Sequence, residues 1–250
     1  MHIHHFTYSI PCHACCSVFL KEDDVELMSS KKRPYKATSN YVIQMDPTGD
    51  ILGKIRSNIL SSEYTVYDCR SPCRQQQQQS DQRQSEKDAE GGVRAELGAV
   101  IYRKVPSYAV TTASSFPPRK MQVCINSVGG GSDASTLQSY KPKTKAEEML
   151  KLLKYKLDSA KRNFSVLESM TPHWDDKLEA YVLNFGGRVT MESEKNFQLV
   201  QADSVEEQIV VLQFGRVAKD EFTMDFQWPL SPFLAFALSL TACDCKVGRD

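Results

Sequence analysis

The sequence has no excess of charge of either sign, since 31 Lys and Arg residues balance 31 Asp and Glu residues over 250 positions. A protein that binds polyanions through its overall charge needs a basic excess, because counterion release and electrostatic steering both grow with the number of cations. The balance therefore argues against a general polyanion binder. A local basic site remains compatible with it.

The sequence also lacks any apolar run of about 18 residues, the length that a membrane-spanning helix requires. Its first residues are polar and rich in histidine, so we expect no secretory signal peptide. Eight cysteines in 250 residues are too few for a disulfide scaffold. We interpret them as reduced thiols in an intracellular protein.

Signatures of catalysis are scarce. Beyond residue 13 the sequence contains a single histidine, His173, which could equally be a turn residue beside an aromatic one. No nucleophile elbow, zinc-protease motif or dinucleotide fingerprint is present. We predict that the protein is not an enzyme and needs no cofactor.

A group of cysteines and a histidine at residues 12–16 could bind zinc, but a structural zinc site normally needs a second pair of ligands at a matching distance. No such pair is evident, so we predict no metal site. We interpret residues 1–15 as a loose N-terminus and residues 16–250 as a single domain.

Charge is distributed unevenly along the chain. Residues 31–56 carry +4, residues 141–163 carry +5, and residues 164–250 carry −7. Neutrality is therefore a cancellation of opposed blocks.

Most of the remaining pattern predicts strands. Eight runs of strand length are rich in β-branched and aromatic residues: 41–45, 64–67, 99–102, 121–125, 181–185, 197–200, 209–214 and 222–226. So many short strands predict a sandwich or a closed barrel. A Gln-rich stretch at about 69–92 and a Gly-rich stretch at about 126–143 have no apolar period, and we expect both to be flexible insertions.

Two segments predict helices. Thr144 and Glu147 could form a capping box ahead of apolar residues at helical spacing, which favours a surface helix within 141–163 over a membrane-inserting or calmodulin-binding one. Ser231 can cap a second helix, in which residues 233–242 are apolar on every side. Such a helix has no solvent face, so we predict that it threads a β-barrel.

One basic pair stands out. Lys54 and Arg56 lie at positions i and i+2, which in a strand places both side chains on the same face. A multivalent phosphate would satisfy both cations. From the spacing alone, a solvated strand face is the favoured interpretation.

Several long motifs, in order, resemble the tubby domain of tubby-like proteins. They are SNYVI at 39–43, GKIRSN at 53–58, YTVYD at 64–68, RAELGAVIY at 94–102, NFGGRVT at 184–190, KNFQLV at 195–200, VLQFGRVAKDEFTMDF at 211–226 and PLSPFLAFALSL at 229–240. The resemblance covers roughly residues 17–246. It implies a mainly β fold, a closed antiparallel barrel of about twelve strands that encloses the hydrophobic C-terminal helix.

The resemblance also implies a function and a site. Tubby domains bind phosphatidylinositol 4,5-bisphosphate at the cytoplasmic leaflet, and family members act as membrane-tethered adaptors, some of which carry membrane proteins into cilia. The residues that match the family's phosphate pocket are Asn40, Lys54, Arg56 and Arg94. We therefore expect a monomeric protein of the cytoplasm and the cytoplasmic face of the plasma membrane, with the cilium or nucleus as further locations and membrane proteins as cargo.

Two other functions remain open at this point. Lys31, Lys32, Arg33 and Lys36 could add a less selective attraction to an anionic membrane, but they could also serve a nuclear, DNA-associated regulator as a localisation signal or a phosphate-backbone contact. The third possibility is a structural or protein-interaction barrel that binds no lipid.

Overall fold

The computed structural model describes residues 4–12, 15–20, 25–34, 37–69, 94–104, 119–126, 140–155, 164–176, 180–202 and 209–247. The strands in these ranges are β1 (His4–Cys12), β2 (Cys15–Leu20), β3 (Val25–Lys32), β4 (Asn40–Met45), β5 (Ile51–Ser57), β6 (Glu63–Asp68), β7 (Glu96–Lys104), β8 (Arg119–Asn126), β9 (Phe164–Ser169), β10 (His173–Asp175), β11 (Ala180–Val182), β12 (Phe197–Gln201), β13 (Val210–Ala218) and β14 (Glu221–Phe226). The helices are α1 (Met149–Lys154) and α2 (Pro232–Asp244).

Twelve of these described strands close into an antiparallel barrel in the order β1-β14-β13-β12-β9-β8-β7-β6-β5-β4-β3-β2. Strands β10 and β11 pair only with each other, as a separate two-stranded sheet. The predicted closed barrel is thus confirmed. The predicted strand at 181–185 is corrected, because only its first two residues lie in a strand, β11, and that strand is outside the barrel.

The N-terminus is also corrected over residues 4–12, which form β1 rather than a loose segment. Strand β1 closes the barrel by pairing with β14 on one side and β2 on the other. Phe6 and Tyr8 are two residues apart and both buried, so β1 contributes one face to the core. Phe6 stacks on Phe226 with ring centroids 5.3 Å apart, and Tyr8 meets Phe214 edge-on at 5.2 Å.

Helix α2 occupies the centre of the barrel. The Ser231 side chain accepts a hydrogen bond from the backbone N–H of Leu234 at 3.2 Å, which confirms the predicted cap. Residues 234–242 are all buried within the hydrophobic core. The helix approaches β5 so closely that a Cβ atom at Gly53 would overlap the ring of Phe233. Glycine at this position therefore lets the barrel wall rest directly on the helix.

Helix α1 lies on the outside of the barrel, where Met149, Leu152 and Leu153 pack over Ala99 and Ile101 of β7. The predicted capping box does not form. Thr144 makes no side-chain cap, and residues 145–147 form a short 3-10 turn. A distant carboxylate replaces the local cap, since Glu96 accepts a hydrogen bond from the backbone N–H of Met149 at 2.8 Å.

Parts of the sequence predictions fall outside the described residues. These are residues 70–93 and 127–139 of the two expected insertions, the end of the predicted helix from residue 156, and the side chains of Cys12, His13 and Cys15 in the zinc alternative. Among the helices that the structure describes, none is long and apolar enough to cross a membrane.

Candidate anion-binding site

The side chains of Asn40, Lys54 and Arg56 lie on the outer wall of the barrel. Strands β4 and β5 alternate: Tyr41, Ile43 and Ile55 are buried in the core, so the residues between them face outward. The prediction that Lys54 and Arg56 share one face of a strand is confirmed.

Strand register brings the predicted residues together. Asn40 lies directly opposite Arg56, and Val42 lies opposite Lys54. Opposed residues of neighbouring antiparallel strands have Cβ atoms about 5 Å apart. Asn40 and the two cations therefore form one compact group on the wall.

Arg94 joins this group from the segment that leads into β7. The backbone N–H of Asp68 donates to the carbonyl of Ala95 at 3.0 Å, which holds the start of β7 beside the end of β6. Lys54 lies opposite Tyr67 of β6, and Tyr67 lies opposite Glu96 of β7. All four residues that the resemblance selected thus lie on the same part of the wall.

The electrostatics of Lys54 show how closely the cations are placed. Burial lowers the pKa of Lys54, and the charges of Arg94, Arg33 and Arg56 lower it further, whereas Cys69 acts in the opposite direction. A neighbouring like charge lowers a lysine pKa because it disfavours the protonated form. The folded protein therefore holds these cations together at an electrostatic cost.

Arg33 and Lys31 extend the group beyond the four predicted residues. The backbone N–H of Arg33 donates to the carbonyl of Asn40 at 2.8 Å, and Lys31 pairs with Val42 across β3 and β4. Both side chains are exposed. The name basic patch is used below for these five cations: Lys31, Arg33, Lys54, Arg56 and Arg94.

Lys32 does not belong to the basic patch, which corrects its grouping with its neighbours in the sequence. Its side chain points the other way and its Nζ lies 2.7 Å from Oδ1 of Asp244, at the end of α2. The hydroxyl of Tyr41 donates to the same oxygen at 2.8 Å. Lys36 lies outside the described residues.

Asn40 adds a polar acceptor to the patch. Its side chain is only 3% exposed, and its Oδ1 has no hydrogen-bond partner among the described residues. A buried amide oxygen normally has a partner. A ligand hydroxyl could donate to this oxygen, so the acceptor fits a polyol that also carries anionic groups.

A carboxylate and a tyrosine mark the far edge of the patch, and neither was selected from the sequence. Glu96 is buried beneath α1, and burial raises its pKa to about 6, despite the hydrogen bond from Met149. Tyr67 lies between Lys54 and Glu96. A bulge shifts the register of β6 and β7 and places Tyr67 opposite Glu96. No local sequence pattern predicts this bulge.

Arg188, in the connection between β11 and β12, has its charge neutralised by a carboxylate of the barrel wall. Arg188 forms two hydrogen bonds to Asp225, from Nε to Oδ2 at 2.8 Å and from Nη2 to Oδ1 at 2.6 Å. Gln213 donates to Oδ2 at 2.8 Å, and Nδ1 of His5 lies 2.8 Å from Oδ1. Asp225 is on β14, five strands around the barrel from β5.

The fold is a closed antiparallel barrel that encloses an apolar helix, which is the architecture that the resemblance to tubby domains predicted for this chain. Comparison with known proteins agrees, because a sequence model of the Tub family matches residues 4–245. The chain therefore belongs to the Tub family.

Named relatives show the same relationship. Tubby protein homolog 1 of Caenorhabditis briggsae is 36% identical over 242 residues, which are 92% of this chain and 51% of the relative. Tubby-related protein 1 of Homo sapiens is 35% identical over 236 residues, 92% of this chain and 39% of the relative. Protein king tubby of Drosophila virilis is 35% identical over 232 residues, which are 90% of this chain and 44% of the relative. The chain thus spans about half the length of these relatives, or less.

Proposed function

We propose that the protein binds phosphoinositides, with phosphatidylinositol 4,5-bisphosphate as the preferred ligand, and acts as an adaptor held at the cytoplasmic face of the plasma membrane. The observation that carries the proposal is the placement of Arg33, Arg56 and Arg94 around Lys54, whose pKa is lowered by burial and further by these three positive charges. A ligand with several phosphates removes this repulsion, so binding is favoured by the arrangement of the unbound protein.

The geometry of the basic patch suits an inositol ring with two phosphates. Arg56 can form a bidentate pair with one phosphate, and Lys54 supplies a point charge about two residues away on the same strand face. Asn40 offers its Oδ1 to a ring hydroxyl. A ligand that is both polyanionic and hydroxylated uses every one of these groups.

Family membership supports the adaptor role, which goes further than the site itself. A monomeric barrel that is held by a lipid headgroup leaves most of its wall available to membrane-protein cargo. Trafficking of membrane proteins or signalling at the plasma membrane or cilium is the corresponding cellular role.

The nuclear alternative is weakened by one contact. A linear basic signal at 31–36 needs all of its cations to be accessible to a receptor at the same time. Lys32 instead forms an ion pair with Asp244 at one end of the barrel. DNA binding by the remaining cations would depend steeply on salt, since each phosphate contact releases counterions.

Vesicle sedimentation tests the proposal. Vesicles of phosphatidylcholine that contain phosphatidylserine, phosphatidylinositol 4-phosphate or phosphatidylinositol 4,5-bisphosphate are compared at matched surface charge. The variant Lys54→Glu with Arg56→Glu should bind the bisphosphate vesicles roughly 100-fold more weakly or worse, because each cation near an anionic leaflet contributes on the order of 1 kcal/mol.

Lys195→Glu with Lys219→Glu is the matched control, because it makes the same charge change on the opposite side of the barrel. The control should retain most of the affinity of the wild type. Equal losses in both variants would show that net charge, not the basic patch, attracts the protein. Binding to duplex DNA without selective vesicle binding would favour the nuclear alternative.

A further inference from the structure

The turn between β5 and β6 exposes two large apolar side chains. Ile59 is 70% exposed and Leu60 is 72% exposed, more than any other large hydrophobic residue that the structure describes. They occupy the two central positions of a β-turn, since the backbone N–H of Ser61 donates to the carbonyl of Asn58 at 3.2 Å.

The identity of these two residues is unusual for a turn. Central turn positions favour Gly, Pro, Asn, Asp and Ser, each for a conformational or hydrogen-bonding reason that Ile and Leu do not share. The rest of the turn follows that preference, with Asn58 before the pair and Ser61 and Ser62 after it. Adjacent β-branched and γ-branched residues at the tip gain nothing from the turn and expose apolar surface to water.

The turn is held rigidly. Oδ1 of Asn58 accepts hydrogen bonds from the backbone N–H groups of Ser62 at 3.0 Å and Glu63 at 3.3 Å. The Tyr64 hydroxyl lies 3.0 Å from the carbonyl oxygen of Ser61 and 3.0 Å from Oδ2 of Asp244. Because Tyr64 links the turn to the end of the central helix, the tip would lose little conformational entropy on entering an apolar environment.

The tip lies at the end of the same strands that carry the basic patch. The backbone N–H of Ser57 donates to the carbonyl of Ser39 at 2.9 Å, so the turn is beside the β3–β4 connection and close to Arg33. Arg56 is two residues before Asn58, where the chain turns, so the tip with Ile59 and Leu60 begins roughly 7 Å beyond Arg56 at the rise of an extended strand.

We propose that the Ile59–Leu60 turn is an apolar wedge that inserts into the boundary between headgroups and acyl chains of an anionic bilayer while the basic patch binds lipid headgroups. The inference rests on the proposed function for its orientation. The headgroup region of a leaflet is about 5–8 Å thick. A tip that begins about 7 Å beyond Arg56 reaches the acyl boundary while the patch faces headgroups above it.

The first experiment separates the wedge from headgroup recognition. Ile59→Ser with Leu60→Ser is measured against vesicles of phosphatidylcholine, phosphatidylserine and phosphatidylinositol 4,5-bisphosphate, and against soluble inositol 1,4,5-trisphosphate. Vesicle affinity should fall roughly 10- to 100-fold, since two exposed side chains lose their burial in the bilayer. Affinity for the soluble headgroup should not change, and neither should the melting temperature.

The matched control is Val25→Ser with Ile51→Ser. These side chains are each 49% exposed and lie at the opposite end of the strands, where β3 and β5 begin. The control should bind vesicles like the wild type. Unchanged vesicle affinity of the turn variant would overturn the wedge, and a loss confined to the control would show that the barrel meets the membrane with its other end.

A depth measurement supplies a readout that affinity alone does not give. Leu60→Trp is titrated with vesicles that contain lipids brominated along the acyl chain, with the parent protein as the baseline for its own tryptophans. Insertion predicts a blue-shifted emission and quenching in excess of the parent. Emission that stays at its aqueous wavelength on bound protein would overturn the proposal.

The wedge and the headgroup site can fail separately. If the protein binds phosphatidylserine vesicles but not the soluble headgroup, the proposed phosphoinositide function fails. The wedge still stands in that case if the turn variant weakens binding to those vesicles and the tryptophan is quenched. If the headgroup binds and the turn variant changes nothing on vesicles, the wedge alone is wrong.

Discussion

Basic residues in two regions of the protein have pKa values that their surroundings shift in opposite directions. Hydrogen bonding to the buried carboxylate of Asp225 raises the pKa of Arg188. In the basic patch, burial and three neighbouring arginines lower the pKa of Lys54. The first arrangement stabilises the fold, whereas the second holds like charges close together. The difference separates a cation that a carboxylate of the fold stabilises from one whose protonated form the fold disfavours.

The largest expected effect comes from removing the internal anion. Asp225→Asn leaves Arg188 without its neutralising charge, and the loss of one partner of a buried pair typically costs about 3 kcal/mol of unfolding free energy. Urea unfolding should show this loss of free energy. Thermal unfolding should show a melting temperature that is lower by roughly 6–12 °C. Vesicle affinity should not change.

Asp220→Asn is the control for that substitution. Asp220 lies in the turn between the same two strands, β13 and β14, and is exposed, so the same chemical change should alter stability by less than about 0.5 kcal/mol. Equal stability of the two variants would mean that the Arg188–Asp225 pair does not contribute to the free energy of unfolding.

The pH dependence of stability sharpens the comparison. Burial alone would raise the pKa of Asp225, but hydrogen bonds from Arg188, Gln213 and His5 outweigh it and lower the pKa below the usual value. The stabilisation is therefore complete above the unfolded-state pKa, near 4, and is lost as the pH falls through the lower native value. Urea unfolding from pH 6 to pH 2 should show the gap between wild type and Asp225→Asn closing with acid. A constant gap would contradict the linkage.

Glu96 tests the opposite case, a buried wall carboxylate whose pKa is raised to about 6. Its stabilising effect is present below the unfolded-state pKa and is lost as the pH rises through 6. Glu96→Gln keeps an acceptor for the N–H of Met149 and removes the charge. The variant should be more stable than wild type by about 2 kcal/mol at pH 8 and show no advantage at pH 4. The same advantage at both pH values would point to packing instead of charge.

Sequence alone predicted the features that depend on local pattern. The apolar run at 233–242 has no polar face, so an enclosing barrel followed from it. Alternation along a strand placed Lys54 and Arg56 on one face. The alternation of Phe6 and Tyr8 is also typical of a strand and could have predicted β1. The histidines and cysteines around it suggested a metal site or a loose terminus instead.

Features that depend on pairing between distant strands could not be predicted. Lys31 and Lys32 are neighbours in the sequence, yet one reaches the basic patch and the other binds Asp244, because neighbouring residues of β3 face opposite sides of the wall and β3 was not among the predicted strands. The cap of α1 failed for the same reason. Its first amide donates to Glu96, 53 positions away in the sequence, whereas Thr144 makes no side-chain cap.

The smallest expected effect lies in the basic patch itself. Lys54→Gln removes one of several crowded cations, so the unfolding free energy should stay equal or rise by up to about 1 kcal/mol, while affinity for bisphosphate vesicles falls. Lys219→Gln, an exposed lysine across the barrel, should change neither quantity. A loss of stability in Lys54→Gln would show that Lys54 stabilises the fold as Arg188 does. A gain in stability joined to weaker binding is expected only where a cation is kept for a ligand, because such a cation costs the unbound protein free energy that the ligand restores.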